Sequence, residues 1–394
     1  MHPSRPDLPD ILIASVTEAL ARWLPSRGTA LAPRDWSRDE WLAAEWIAYW
    51  QNALPWLHDR AGQVGQAISS SLASLAVLCR TRTLRMLDAA AELIAALQTE
   101  GLEVLPFKGA LLAPLYYRDP SLRPLADLDL LVHEKDLRAG IGVMERLGYR
   151  YYSRSDEDVV YLRGERKPNV WHPDNVQPVE MHFRLREEYA GLAYDLTGAM
   201  WASAVKQRYW NEVQTVTPSR PMLLHHLCAH TTSDLLIQRG KLMEIGDIQL
   251  VASHISGSEW RTFLESIPAH SARFVYPALA VTERYAPGAI PESVFAALRA
   301  HLSPRLREWS DGVTLAEASE SNPRPRSGIG LDMARRLTQS PGERIRMWLR
   351  SLFPRRWNLT NRYPRLAASP FYPLCYVLIN LDRLWHLARL RLRR

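Results

Sequence analysis

Two aspartates, Asp127 and Asp129, open the apolar run Asp-Leu-Asp-Leu-Leu-Val132. In a strand, a two-residue spacing turns both carboxylates to one face and Leu128 and Leu130 to the other. Adjacent carboxylates repel, and burying them is costly, unless a cation lies between them. Magnesium suits such a pair, because it takes one or two protein carboxylates and completes its octahedron with water and phosphate oxygens. On this short pattern alone, two solvated aspartates at a strand mouth is the commoner reading.

Upstream, Phe107-Lys108-Gly109-Ala110 falls where a short strand gives way to a helix. Free backbone N–H groups and the helix dipole favour an anion there, Gly109 admits a phosphate close to the backbone, and Lys108 supplies a point charge. Taken alone, an ordinary turn with a surface lysine explains it better, and no G-x-x-x-x-G-K-[ST] loop occurs in the chain. Downstream, Val179-Glu180-Met181-His182 alternates so that Glu180 and His182 share a face. A neighbouring strand carrying Glu180 would bring a third carboxylate to the pair, enough for metals that bind a triphosphate and activate a hydroxyl. For His182, orienting a ligand, binding an acceptor and packing all remain open.

The elements that must position these residues are legible in outline. Helical spacing runs through Ile11–Leu24, Trp41–Trp50 and Val64–Leu97, with Gly101 suited to a left-handed cap. Leu102–Phe107, Asp127–Val132, Tyr149–Ser153, Val159–Leu162 and Pro178–Phe183 read as strands, with helices at Ala110–Tyr117 and Lys135–Leu147. After about Gly191 the pattern turns helical again, through Pro221–Leu236, Leu242–His254, Glu259–Ser266 and Arg273–Tyr285. The expected fold is therefore α+β, a small mixed-sheet core between N-terminal and C-terminal helical regions. Its expected divisions are a helical region (1–100), a sheet core (101–190), a helical domain (191–315), a Ser/Pro/Gly-rich linker (316–340) and a basic aromatic segment (341–394).

The order of the pieces carries a resemblance. The stretch from Leu105 to Val132, followed by Leu147-Gly-Tyr149 and Val179-Glu-Met-His182, resembles the uncharacterised nucleotidyltransferase family of bacteria, within the DNA polymerase β-like superfamily. The segment Leu223-Leu-His-His-Leu-Cys-Ala-His230 and Asp247 look like that family's helical half. The resemblance covers about three-fifths of the chain and implies a catalytic nucleotidyltransferase core. It makes Asp127, Asp129 and Glu180 catalytic metal ligands for one or two Mg2+ ions, and Lys108 with Gly109 the phosphate-facing turn. The wider superfamily usually has Gly-Ser at that turn, whereas Lys-Gly is usual in this family. Arg123, four residues before Asp127, is expected near the same mouth as a nucleotide-binding residue. Lys241, with Arg239 and Asp247, is expected to close the nucleotide pocket, although a solvated helix edge explains these nearly as well. His230 and Asp247 are expected, with His182, to support the site. A metal shared by His226 and His230 lacks an evident third ligand, and a histidine on a Leu-rich helix is usually core or lining.

The implied reaction moves a nucleoside monophosphate from a triphosphate, with ATP the expected donor, to a hydroxyl or phosphate of an unidentified acceptor. The competing class is a non-catalytic accessory module of a biosynthetic system, held to a membrane or nucleic acid through its basic end.

Bulk properties narrow the field. With 394 residues, 47% of them apolar, the chain can fill a large core. Three scattered cysteines, Cys79, Cys228 and Cys375, fit neither a disulfide framework nor a zinc set, so a reducing, cytoplasmic setting is expected. No signal peptide or membrane span is legible. The net charge of +7 is local: Pro341–Arg394 holds twelve arginines against Glu343 and Asp382, leaving about −3 for the remainder. Arginines mixed there with Trp348, Leu349, Leu352, Phe353, Trp357, Trp385, Leu387 and Leu390 fit an anionic membrane surface, nucleic acid, or packing on the protein's own body.

Overall fold

The computed structural model describes residues 5–25, 33, 35–165, 170–189, 192–319, 335–355, 359 and 362–392. Four helices lead: α1 (Asp10–Trp23), α2 (Arg38–Trp50), α3 (Leu54–Gln63) and α4 (Ser70–Thr99). Ser37 and Glu40 cap the start of α2 reciprocally, which satisfies N–H groups that have no partner within the helix. The expected Val64–Leu97 helix is shorter at its start, because Gly65 turns left-handed (φ 73°) and α4 begins only at Ser70. Helix α3, which the apolar pattern did not reveal, opens on Pro55 in its first turn.

Helix α4 ends as expected at Gly101, whose φ is 73°. The bonds Leu102 N–H to Leu97 O (3.1 Å) and Gly101 N–H to Gln98 O (2.9 Å) close its last turn and turn the chain into β1 (Val104–Pro106). Next come α5 (Lys108–Tyr116), β2 (Leu128–Val132) and α6 (Leu137–Arg146). Gly148 ends α6 in the same way before β3 (Arg150–Arg154), β4 (Asp158–Arg163) and β5 (Gln177–His182).

These strands form one five-stranded mixed sheet in the order β1-β2-β5-β4-β3, with β2 and β5 parallel and the other pairs antiparallel. The fold is α+β, as the sequence implied. Leu128, Leu130, Val132, Val179 and Met181 turn to one face and pack with Leu93 and Leu97 of α4 and Val143 and Met144 of α6. Gly140 allows that contact, since a Cβ there would lie 2.8 Å from the Met181 sulfur. On the other face, Leu105, Phe107 and Leu131 pack with Leu185, Leu192, Tyr194, Met222 and Ala229.

The chain does not turn helical directly after Gly191. Two hairpins intervene, β6 (Arg186–Tyr189) with β7 (Leu192–Asp195), and β8 (Val205–Arg208) with β9 (Gln214–Thr217), separated by α7 (Thr197–Ala202). Their strands are only four residues long, and β6 and β8 are mostly charged or polar, so they lack the longer apolar run by which β2 and β5 are legible.

Helices α8 (Arg220–Leu236), α9 (Leu242–Ala252), α10 (Gly257–Glu265) and α11 (Tyr276–Tyr285) follow, then α12 (Glu292–Arg299), α13 (Pro304–Gly312) and α14 (Leu315–Ala318). Residues of α1–α3 share one buried core with Leu223, Leu227, Ile245, Ile248, Leu279 and Val281 of α8, α9 and α11. The helices that precede the sheet and those that follow the hairpins are thus packed together in one core. Of the expected linker, 320–334 lie outside the described residues. Beyond it stand the helices Pro341–Leu352, Pro364–Ala367 and Leu374–Leu392, and no described helix is long and apolar enough to cross a membrane.

Candidate active site

Asp129 sits on β2 directly opposite Glu180 on the parallel strand β5, and Leu131 is opposite His182. Because side chains alternate, Asp129, Glu180 and His182 emerge on the face that does not pack on α4 and α6. One ligand atom from each lies within 4.8 Å of the others. Asp127 precedes the first residue of β2 and is not in this convergent trio. It remains half-buried beside it, and its charge acts on Lys108 together with those of Asp129 and Glu180.

Lys108 opens α5, and its Nζ lies 3.0 Å from Asp129 Oδ1. His182 Nε2 lies 3.2 Å from the same oxygen and 3.6 Å from Glu180 Oε2. Both cationic partners thus converge on one oxygen of Asp129. The backbone at Lys108 is left-handed (φ 48°), a region that costs an L-residue about 1–2 kcal/mol. No side chain caps α5, so N–H groups of its first turn remain for an anion.

The electrostatics are those of crowded acids. Burial and the charges of Asp129 and Glu180 push Asp127 up to about 7. Burial would also raise Asp129, but Lys108 and His182 hold it well below the usual carboxylate range. Burial would lower His182, yet hydrogen bonds to Asp129 and Glu180 raise it to about 9. A divalent cation among the carboxylates relieves the repulsion that raises Asp127, and oxygen donors suit magnesium. The donor set therefore fits the metal that the resemblance implies.

Arg123, expected as a nucleotide-binding residue at this mouth, is engaged by a carboxylate from the helical side. Its guanidinium grips Asp247 of α9 through Nε (3.2 and 3.1 Å) and Nη2 (2.8 Å), and donates to Pro124 O. Tyr117, which the sequence reading missed, donates to Asp247 Oδ1 at 2.6 Å. Gly109 packs beneath this fork, since a Cβ there would lie 2.7 Å from Leu125 and 3.0 Å from Arg123. Close packing thus requires glycine at this turn, whether or not a phosphate approaches.

His230 and Lys241 belong to a second polar group on the helical side. His230 Nδ1 lies 3.0 Å from Glu187 Oε1, and ligand atoms of His230, Asp234 and Glu244 lie within 4.8 Å of one another. The backbone N–H of Lys241 donates to Glu244 Oε2 at 3.2 Å. Burial raises Glu187, but His230 more than offsets it and holds the carboxyl at about 2. Between the two groups runs a series of ring contacts: His182 to Phe107 (5.0 Å), Phe107 to His226 (5.3 Å) and His226 to His230 (6.3 Å). His226 is buried with neither ring nitrogen hydrogen-bonded, and burial, then Lys108, lowers it to about 3. Glu187 had no sequence signal, because it lies on the polar hairpin β6–β7.

The chain is similar over 15% identity to an antigenic nucleotidyltransferase-like protein from Paracoccidioides brasiliensis, whose crystal structure superposes with a TM-score of 0.35, covering 56% of this chain and 94% of that one. No curated protein matches. Residues 37–287, which include the whole sheet and every residue of both polar groups, match the profile of the family described as uncharacterised nucleotidyltransferase. The chain belongs to that nucleotidyltransferase family.

Proposed function

We propose that the protein transfers a nucleoside monophosphate from a nucleoside triphosphate, with ATP as donor, to a hydroxyl or phosphate of an acceptor. The observation that carries this reading is the register of Asp129 against Glu180, with Lys108 3.0 Å from Asp129 at an uncapped helix start. Asp127, Asp129 and Glu180 would hold magnesium, which when bound neutralises triphosphate charge and eases deprotonation of the attacking hydroxyl. Lys108 and His182 restrain Asp129 through one oxygen and leave the other for the metal. The ammonium of Lys108 and the first-turn N–H groups of α5 then offer a cationic seat for phosphate oxygens. Burial within this cleft strengthens each of these interactions relative to water.

The alternative, a non-catalytic accessory module, has no need of Glu180 beside the aspartates. Their pairing across adjacent strands favours the catalytic reading. The test is label transfer: the protein is incubated with fractionated cell extract and ATP labelled at either the α- or the γ-phosphate. Nucleotidyl transfer predicts magnesium-dependent labelling of an acceptor from the α-label alone. Labelling from the γ-position would identify a kinase instead and overturn the reading.

A further inference from the structure

The basic segment after residue 340 has a surface that nucleotide chemistry does not use. Ten of the eighteen exposed large apolar side chains among the described residues lie between Ile345 and Trp385. They form stripes. On the helix Pro341–Leu352, Ile345, Trp348 and Leu349 stand at i, i+3 and i+4, with exposures of 61, 60 and 50%. On the helix Leu374–Leu392, Leu374, Val377, Leu378, Leu381 and Trp385 repeat the same spacing over three turns. Helical spacing of this kind marks a face built to be covered, and here that face meets solvent. Phe353, which meets the Tyr376 ring edge-on, and Phe371 are also exposed, at 52 and 67%.

The segment is anchored with those stripes outward. Met347 is buried against the hairpin side of the sheet core, and Arg273 grips Glu343 with two contacts of 2.8 and 2.9 Å. Arg350 and Arg355 pair with Glu188, and Arg355 also with Asp156. Cys375 and Ile379 turn inward to a small cluster with Leu359 and Ala367. The arginines that remain beside the stripes, Arg344, Arg346 and Arg365, are exposed.

We propose that this face is a membrane-docking surface, in which the two apolar stripes enter the interface of a bilayer and the flanking arginines engage anionic lipid headgroups. Charge complementarity selects the partner: the segment has twelve arginines against two acids, and even with Arg350, Arg355 and Arg362 paired, the exposed Arg344, Arg346 and Arg365 favour an anionic surface. The aliphatic content selects lipid over nucleic acid, since Ile345, Leu349, Val377 and Leu381 offer bases no stacking plane. Neither helix spans, so the protein lies on the surface. The proposal stands independently of the transferase reading.

Vesicle flotation of the full chain tests it, with phosphatidylcholine alone and with phosphatidylcholine mixed with phosphatidylglycerol. Binding to the mixed vesicles only, weakened by salt and accompanied by a blue shift of tryptophan fluorescence, is the expected result. Arg344→Gln, Arg346→Gln and Arg365→Gln together should weaken binding on the order of a hundredfold. Trp348→Gln with Leu381→Gln should weaken binding and reduce the blue shift; these side chains are exposed, so circular dichroism should be unchanged. Failure of the folded wild type to float with anionic vesicles would overturn the proposal. So would preferential binding of single-stranded nucleic acid, or a stable dimer in which Trp348 is shielded from iodide.

Discussion

Arg123 and Asp247 join two distant parts of the chain, the loop that enters β2 and the helix α9, through a fork of three contacts no longer than 3.2 Å. Asp247 is 2% exposed and also accepts from Tyr117, so the loop before Asp127 is held from the helical side. Removing one partner leaves a buried charge uncompensated. Asp247→Ala should therefore cost about 3–5 kcal/mol in denaturant unfolding. A loss below ~1 kcal/mol would show that the fork does not hold the loop. The paired replacement Arg123→Met with Asp247→Leu should recover much of the loss, and nucleotide affinity in that variant measures whether Arg123 also meets phosphate.

The left-handed backbone at Lys108 predicts an unusual order of variants. Both Lys108→Ala and Lys108→Gly lose the ion pair with Asp129, but only glycine relaxes the backbone. Lys108→Gly should be the more stable of the two by on the order of 1 kcal/mol, although glycine ordinarily destabilises a helix. Equal stability, or a more stable alanine variant, measured by chemical denaturation, would contradict the strain.

Gly246 fixes how closely α9 approaches α3. A Cβ there would lie 2.2 Å from the Trp56 ring, and both helices belong to the core shared by the helices before and after the sheet. Gly246→Ala should cost about 1–3 kcal/mol through overpacking. Trp56→Leu in the same chain should relieve part of that cost, which a thermal or denaturant scan of the double variant would reveal.

His225 makes stability depend on pH. It is fully buried, bonded to Tyr194 and Ser266, and burial lowers it from 6.5 to about 3. The unfolded imidazole takes a proton as pH falls below 6.5, while the folded one does not. Its stabilisation is therefore complete above that pH and lost progressively towards about 3, at up to ~1.4 kcal/mol per pH unit. Between pH 7 and about 5.5, wild type should lose on the order of 1 kcal/mol more than His225→Gln. Parallel losses in the two proteins would remove His225 as the cause.

The chemistry-bearing strands were legible because their neighbours are apolar. Leu128, Leu130, Val179 and Met181 alternate with Asp129, Glu180 and His182, so period and side-chain direction follow from composition. Their adjacency also needed the family resemblance, since strand order is not a local property. Other features were not legible for identifiable reasons. The hairpins β6–β7 and β8–β9 are polar on a solvent-facing side, which removed the signal for Glu187. Tyr117 and Asp247 are 130 positions apart, and a hydrogen bond across that distance leaves no mark on local spacing. Arg123 carried charge that the sequence could place near phosphate, but its carboxylate partner, Asp247, comes from tertiary packing. The tail's composition left three partners open, and the 60% exposure of Trp348 argues against packing of that ring on the protein's own body.

The central claim is a nucleotide site built on Asp127, Asp129 and Glu180, and calorimetric titration tests it most directly. ATP, GTP, CTP and UTP are titrated with and without magnesium into the wild type, an Asp127→Ala, Asp129→Ala double variant and Glu180→Gln, each first shown to be folded. Magnesium-dependent binding to the wild type, with ATP preferred, and its loss in both variants is the predicted result. A folded wild type that binds none of the four, or variants that bind as tightly as it does, would contradict the claim.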